Sequence, residues 1–278
     1  MFNVRLTPYR PELGTIFDRQ TKEHSLVSLD GRYRFWIGNN PEMPDPDFWV
    51  VQGKGVRQGE TCRVASQNTI LLTTEPRSVL YYPQCYIDQF GLVCTCQEQT
   101  KHPNVHFGPA ILPWFIGYTE DVQGKITSCK LDYDKLKTMP TPQKPKLLSV
   151  ITSNKAFTQG HIDRIKFVEK LKAYYGDALD VYGRGFNDFG DKWDVLSQYK
   201  YHIVIENSSQ SYYWTEKISD CLIAETFPFY YGCTNMADYV PRQAFEPIDI
   251  HRPDEAIKMI DAQIKQNRYE QSRKALSE

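Results

Sequence analysis

A chain of 278 residues with 41% hydrophobic and 13% aromatic side chains has the apolar mass for two domains or one large one, which excludes collagen-like and disordered classes. Its 33 basic and 34 acidic side chains sum to −1. With no run of five or more Lys or Arg, that balance excludes a protein whose affinity comes from neutralising nucleic-acid phosphates.

Residues Met1 to Leu6 lack the apolar run of a signal peptide. No window approaches the ~20 apolar residues of a membrane span, so the chain reads as soluble and cytoplasmic. In the first half, strands are expected at Phe2–Leu6, Arg34–Ile37, Phe48–Val51, Thr69–Thr73 and Leu92–Cys96, which together read as an α/β layer. Glu75 follows the apolar run Thr69 to Thr73 and precedes Pro76, so it sits extended at a strand tip. There it either faces a cleft or pairs with Arg77 as an ordinary loop residue.

Seven cysteines at irregular spacing read as free thiols in a reducing compartment. Cys94 and Cys96 would share one strand face, and His102 and His106 follow. Structural zinc sites favour CxxC hairpins and four organised ligands, so buried apolar thiols are the better reading.

Residues Thr138 to Lys146 carry three prolines with almost nothing to bury, and read as a linker. This divides the chain into an N-terminal domain over 1–138, a proline-rich linker over 139–146 and a C-terminal domain over 147–278. Beyond the linker, strand and helix patterns alternate: a strand at Leu147–Thr152 and a helix at His161–Tyr175 with Ile162, Ile165, Val168, Leu171 and Tyr175 on its apolar face. A strand follows at Ala178–Tyr182, then a helix at Asp191–Tyr199, a strand at Tyr201–Ile205, a helix at Thr215–Glu225 and a strand at Phe227–Tyr231. One helix is expected from Asp254 to Ser277. Such alternation implies a parallel sheet of right-handed βαβ units, with ligands at the carboxyl ends of its strands. Lys265, Arg268, Arg273 and Lys274 could touch an anionic membrane surface peripherally. With Glu270 and Glu278 interleaved, a solvated helix face is the simpler reading.

The densest cluster of polar chemistry runs from Glu206 and Asn207 to Tyr213, Thr215, Glu216 and Lys217, between a strand end and a helix start. Helix starts offer unpaired N–H groups and a positive dipole end. Thr215 suits the N-cap and Glu216 the first turn, but Lys217 opposes the dipole, so an anionic ligand explains it better. Ser153, Asn154 and Arg164 lie at a second strand-to-helix junction, and two such junctions suggest one shared diphosphate. Gly183-Arg184-Gly185 lacks the spacing of a dinucleotide fingerprint, and GxxxxGK[ST] and HExxH are absent.

The stretch Tyr199-Lys200-Tyr201 to Ile205-Glu206-Asn207-Ser208, then Tyr213-Trp214-Thr215-Glu216-Lys217, then Pro228-Phe229-Tyr230-Tyr231-Gly232 resembles the donor signature of glycosyltransferase family 10, the α1,3/α1,4-fucosyltransferases. Ser153-Asn154 with Arg164, Val181-Tyr182-Gly183, and Thr74-Glu75-Pro76 through Asp88 to Leu92 extend the resemblance. It covers residues 147–260 well and 68–117 thinly. The chain departs from the family's pattern at Ile205, Trp214 and Glu225-Thr226-Phe227.

The resemblance implies an α/β fold of GT-B type, two Rossmann-like domains facing across a cleft, with the acceptor-binding domain first and the GDP-fucose-binding domain second. It implies that Glu216 holds the ribose hydroxyls, that Lys217, Arg164 and Tyr213 contact the diphosphate with Asn207, Ser153 and Asn154 nearby, and that Glu75 is the general base. The partners implied are a nucleotide-sugar donor and a glycan acceptor containing N-acetylglucosamine or glucose. The reaction implied is inverting transfer of fucose, with no cofactor and no obligatory metal. Asp132-Tyr133-Asp134 has the letters of a DxD motif but lies before the linker. The alternatives are another nucleotide-sugar donor on the same fold, or a non-catalytic nucleotide- or sugar-binding protein.

Overall fold

The computed structural model describes residues 1–10, 13–55, 58–121 and 125–278. They fall into two α/β units, Met1–Pro113 with Tyr118–Met139, and Trp114–Gly117 with Pro140–Glu278.

In the first unit, strands β1 (Phe2–Thr7), β2 (Tyr33–Ile37), β3 (Phe48–Gln52), β4 (Thr69–Leu72), β5 (Leu92–Thr95) and β6 (Val105–Phe107) form a parallel sheet in the order β2-β1-β3-β4-β5-β6. Five lie where the sequence predicts them. Strand β6 and the antiparallel pair β7 (Tyr118–Glu120) and β8 (Ile126–Cys129) were not anticipated, because three or four residues are too few to display a period. The helices are short: α1 (Gly14–Phe17), α2 (Gln84–Ile87) and α3 (Tyr133–Thr138). Asp132 is the N-cap of α3, accepting from the Lys135 N–H at 2.8 Å. Leu71, Val93, Tyr82 and Ile87 pack together beneath the carboxyl ends of β4 and β5.

Cys94 and Cys96 do not make the expected pair on one strand face. Cys96 lies past the end of β5, fully buried, with its Sγ 3.8 Å from the Glu75 carbonyl. Both ring nitrogens of His102 lie against backbone carbonyls, of Asn104 and Phe90.

In the second unit, β9 (Lys146–Ile151), β10 (Leu179–Tyr182), β11 (Tyr199–Ile205), β12 (Phe227–Tyr231) and β13 (Glu246–Pro247) form a parallel sheet in the order β10-β9-β11-β12-β13. The order reverses between β9 and β11, the switch point at which open α/β sheets collect ligands. Helices α4 (Gln159–Tyr175), α5 (Lys192–Leu196), α6 (Glu216–Ile223), α7 (Pro253–Lys265) and α8 (Arg268–Ser277) cover the sheet. Tyr201, Ile203, Phe227 and Phe229 pack against Phe167, Val168 and Leu171 of α4 and Ile257 and Ile260 of α7. On the opposite face Val204 and Tyr230 meet Ile218 and Cys221 of α6. Each fully buried side chain of this size stabilises by about 1.5–3 kcal/mol.

Three sequence expectations need correction. The single C-terminal helix is two, broken at Asn267, whose φ of 55° is left-handed, a conformation that Asn tolerates. The inner face of α4 is His161, Arg164, Phe167, Val168 and Leu171, so polar residues replace Ile162 and Ile165 at its first two positions. The proline-rich segment does bury something: Lys144 is 9% exposed and donates to the carbonyls of Leu196 and Ala224 and to the Thr226 hydroxyl. Those carbonyls end α5 and α6, where a cation complements the dipole. Burial nonetheless pushes Lys144 down to about 8.

No helix among the described residues is long and apolar enough to cross a membrane. Two basic groups of α8 are engaged with acidic neighbours, Arg273 with Glu270 at 3.7 Å and Lys274 with Glu278 at 3.8 Å.

Candidate active site

Three loops converge at the carboxyl edge of the second sheet. The Thr152 N–H donates to Tyr182 O at 2.8 Å and the Asn154 N–H to Arg184 O at 3.1 Å, tying the loop after β9 to the loop after β10. Glycine permits this approach: a Cβ on Gly183, where φ is +114°, would lie 1.7 Å from Thr152 O. Gly160, in the first turn of α4, likewise lets the helix start press on the loop after β11, since a Cβ there would lie 1.9 Å from Asn207 O.

Strand β11 runs directly into Glu206, which is completely buried. Its Oε1 accepts from the Thr215 N–H at 2.9 Å and the Thr215 hydroxyl at 2.8 Å, and its Oε2 accepts from Lys217 Nζ at 2.9 Å. Thr215 is the N-cap of α6 and accepts from the Lys217 N–H at 3.4 Å. One buried carboxylate therefore sets where α6 begins and where the Lys217 ammonium sits. Glu206 was not among the expected site residues. Its sequence signals were its place at the head of the polar cluster, closing an apolar strand, and within the family-like stretch, but neither gave it a role.

A cavity of about 450 Å³ opens at the carboxyl ends of β9 and β11. Ser153, Arg164, Glu216 and Lys217, four of the expected residues, line it. Arg164 is 6% exposed; its Nη2 lies 3.4 Å from both the carbonyl and the hydroxyl of Ser153, and its Nε has no partner. It lies in the second turn of α4, past the first turn where a cation opposes the helix dipole. Burial is what disfavours its charge, partly opposed by the nearby Glu206 and Tyr213. A guanidinium in that position presents a donor fork suited to a planar or tetrahedral oxyanion.

Burial alone would raise Glu216, but the ammoniums of Lys217 and Lys192 outweigh it and hold the carboxylate at about 2. Of the other expected residues, Asn207 is 9% exposed and Tyr213 fully buried. Asn154 is exposed, with its amide 2.9 Å from where a Gly185 Cβ would be. Glu75 belongs to the first unit, at the carboxyl end of β4. Its carbonyl accepts from Gln97 Nε2 at 2.8 Å, and the preceding Thr74 N–H donates to Tyr82 OH at 3.2 Å, so the backbone on both sides is pinned.

Lys192, His202 and Asp220 are among the cavity residues that escaped the sequence reading. Lys192 opens α5 after the N-cap Asp191, a first-turn cation like Lys217, so the same signal was present. His202 lies inside a β-branched strand and gave no signal; Ser149 Oγ is 2.8 Å from its Nδ1.

Burial, with Lys192 and Lys144 adding to it, pushes His202 down to about 3. The unfolded chain takes up that proton near pH 6.5 and the folded protein only near 3. The stability tied to neutral His202 is therefore intact above pH 6.5 and lost progressively as pH falls, by up to about 5 kcal/mol. Urea midpoints measured from pH 7 to 4.5 should decline in the intact protein and much less in His202→Gln; parallel declines would refute this origin. Below pH 4.5 protonation of Glu216 adds a further loss of the same sign.

Residues 141–271 match the family model described as glycosyltransferase family 10 (fucosyltransferase), C-terminal. The match takes in most of the second unit and just under half of the chain. Over 71 residues the chain is 38% identical to an α-(1,3)-fucosyltransferase of Helicobacter pylori, a stretch covering 25% of this chain and 15% of that protein. Two crystal structures of α1,3-fucosyltransferase, one with GDP and one with GDP-fucose, each match 98% of this chain and 81% of theirs. Both are 17% identical to it, with TM-scores of 0.55 and 0.51. The chain thus has the GT-B type fold of two Rossmann-like units, as the sequence implied.

Proposed function

We propose that the protein is an inverting fucosyltransferase that moves fucose from GDP-fucose to a hydroxyl of a glycan containing N-acetylglucosamine or glucose. The observation that carries this reading is Arg164, a buried guanidinium with an unpartnered Nε, facing a cavity shared with Lys217 and Glu216. Such a group is costly unless an anion arrives to meet it. The match of residues 141–271 to the family 10 model, and the similar folds of α1,3-fucosyltransferase structures with GDP and with GDP-fucose, support a nucleoside diphosphate sugar as that anion.

In the reaction, the acceptor hydroxyl oxygen forms a bond to the anomeric carbon of β-linked GDP-fucose from the face opposite the diphosphate. The bond from that carbon to the diphosphate oxygen breaks, GDP leaves, and the hydroxyl proton passes to the Glu75 carboxylate, giving an α-fucoside. Arg164, Lys217 and the N–H groups at the start of α6 meet the charge that builds on the departing diphosphate. Ser153, Asn154, Asn207 and Tyr213 shape the loops that hold it, and Glu216 takes the ribose hydroxyls.

The test is a donor panel of GDP-fucose, GDP-mannose and UDP-sugars offered with a glycan array, alongside calorimetric titration with GDP. Transfer of fucose from GDP-fucose alone is expected. Transfer from a different nucleotide sugar would change the donor, and no GDP binding at millimolar concentration would sink the reading.

A further inference from the structure

We propose that Lys192 and Asp220 form a positioning pair that holds the Glu216 carboxylate, ionised and oriented, toward the ribose diol of the bound nucleotide. This deepens the donor reading and rests on it. Lys192 is the first residue of α5, where the helix dipole disfavours a cation, so the helix itself gives no reason for its place. The reason lies on α6. Glu216 and Asp220 are four residues apart on one face of that helix, an arrangement in which two carboxylates repel. Lys192 Nζ sits between them, 2.8 Å from Asp220 Oδ2 and 3.5 Å from Glu216 Oε1.

Asp220 is fully buried, and its Oδ1 accepts from the Phe115 N–H at 2.6 Å. It is therefore anchored at both oxygens and fixes Lys192 from behind. Glu216 is in turn flanked by Lys192 at 3.5 Å and Lys217 at 3.9 Å. Lys192, Glu216, Lys217 and Asp220 all line the same cavity. A carboxylate held in this way is an acceptor for two adjacent hydroxyls, and in a nucleoside diphosphate those are the ribose 2′ and 3′ hydroxyls.

A purely structural role, joining α5 to α6, would leave the protein's preference for the diol untouched. The experiment compares GDP, 2′,3′-dideoxy-GDP and inorganic pyrophosphate by calorimetry. The intact protein should favour GDP over the dideoxy nucleotide by about 100-fold, since two hydrogen bonds to a charged group are lost. In Lys192→Met that preference should fall to a few-fold while pyrophosphate binding is retained, and Lys192→Arg should restore most of it. Lys192→Met leaves Asp220 buried without a counter-charge, so Lys192→Met with Asp220→Asn provides a variant free of that burden, and the same loss of preference is expected. An unchanged preference in the double variant overturns the positioning role alone. Absence of GDP binding by the intact protein overturns the donor reading and this role with it.

Discussion

Glu75→Gln is expected to lower the transfer rate by about 10²–10⁴-fold, the usual contribution of a positioned general base, and to leave GDP affinity unchanged. The amide keeps the shape of the carboxylate and loses only its capacity to accept the acceptor's proton. The residues assigned to the nucleotide all lie in the second unit, whereas Glu75 lies in the first. Glu75→Asp withdraws the carboxylate by one methylene from a backbone that cannot follow, because Gln97 and Tyr82 pin it on both sides. A displacement of that size costs about 100-fold. Initial rates with GDP-fucose and a saturating acceptor, paired with GDP titration, separate the effects. Transfer that survives Glu75→Gln removes this residue from the chemistry.

Arg164→Leu should weaken GDP binding by ~100-fold or more, from the loss of charge-assisted hydrogen bonds worth about 1.5–3 kcal/mol each. The same change should leave the melting temperature of the ligand-free protein unaltered or higher. Arg164 is 6% exposed, its Nε has no partner and its Nη2 contacts are long at 3.4 Å, so the folded protein bears most of its desolvation cost without return. A leucine there would extend the apolar face that continues through Phe167, Val168 and Leu171. Arg164→Lys should recover part of the affinity, since it supplies a point charge without the fork. Thermal unfolding and calorimetry on the three proteins decide the matter. A marked fall in melting temperature with undiminished GDP affinity would make Arg164 a structural residue.

The helix start at Thr215 was legible because its chemistry is local. A hydroxyl at the N-cap, a carboxylate and a lysine in the first turn are read within four residues, and α6 begins where they place it. The inner face of α4 was misread by one position for the opposite reason. Ile162 and Ile165 continue the apolar period, but in the first turns of α4 it is His161 and Arg164 that are buried, Arg164 against the cavity. The proline-rich segment looked free of burial because nothing within it could receive the Lys144 ammonium. Its acceptors, Leu196, Ala224 and Thr226, lie 52 to 82 residues further along.

By itself the sequence determined the alternation of strands and helices, the parallel sheets and the type of chemistry gathered at the carboxyl edge of the second one. These depend on periods and caps that a window of a few residues contains. Only the tertiary structure decided that Trp114–Gly117 joins the second unit, held by Asp220 and Asp191, 105 and 74 residues away. It alone decided that Lys217 answers to buried Glu206, and that Lys192 stands between Glu216 and Asp220. Pairings of that kind follow from strand order and from which groups are removed from water together, and neither is written in the spacing of neighbouring residues.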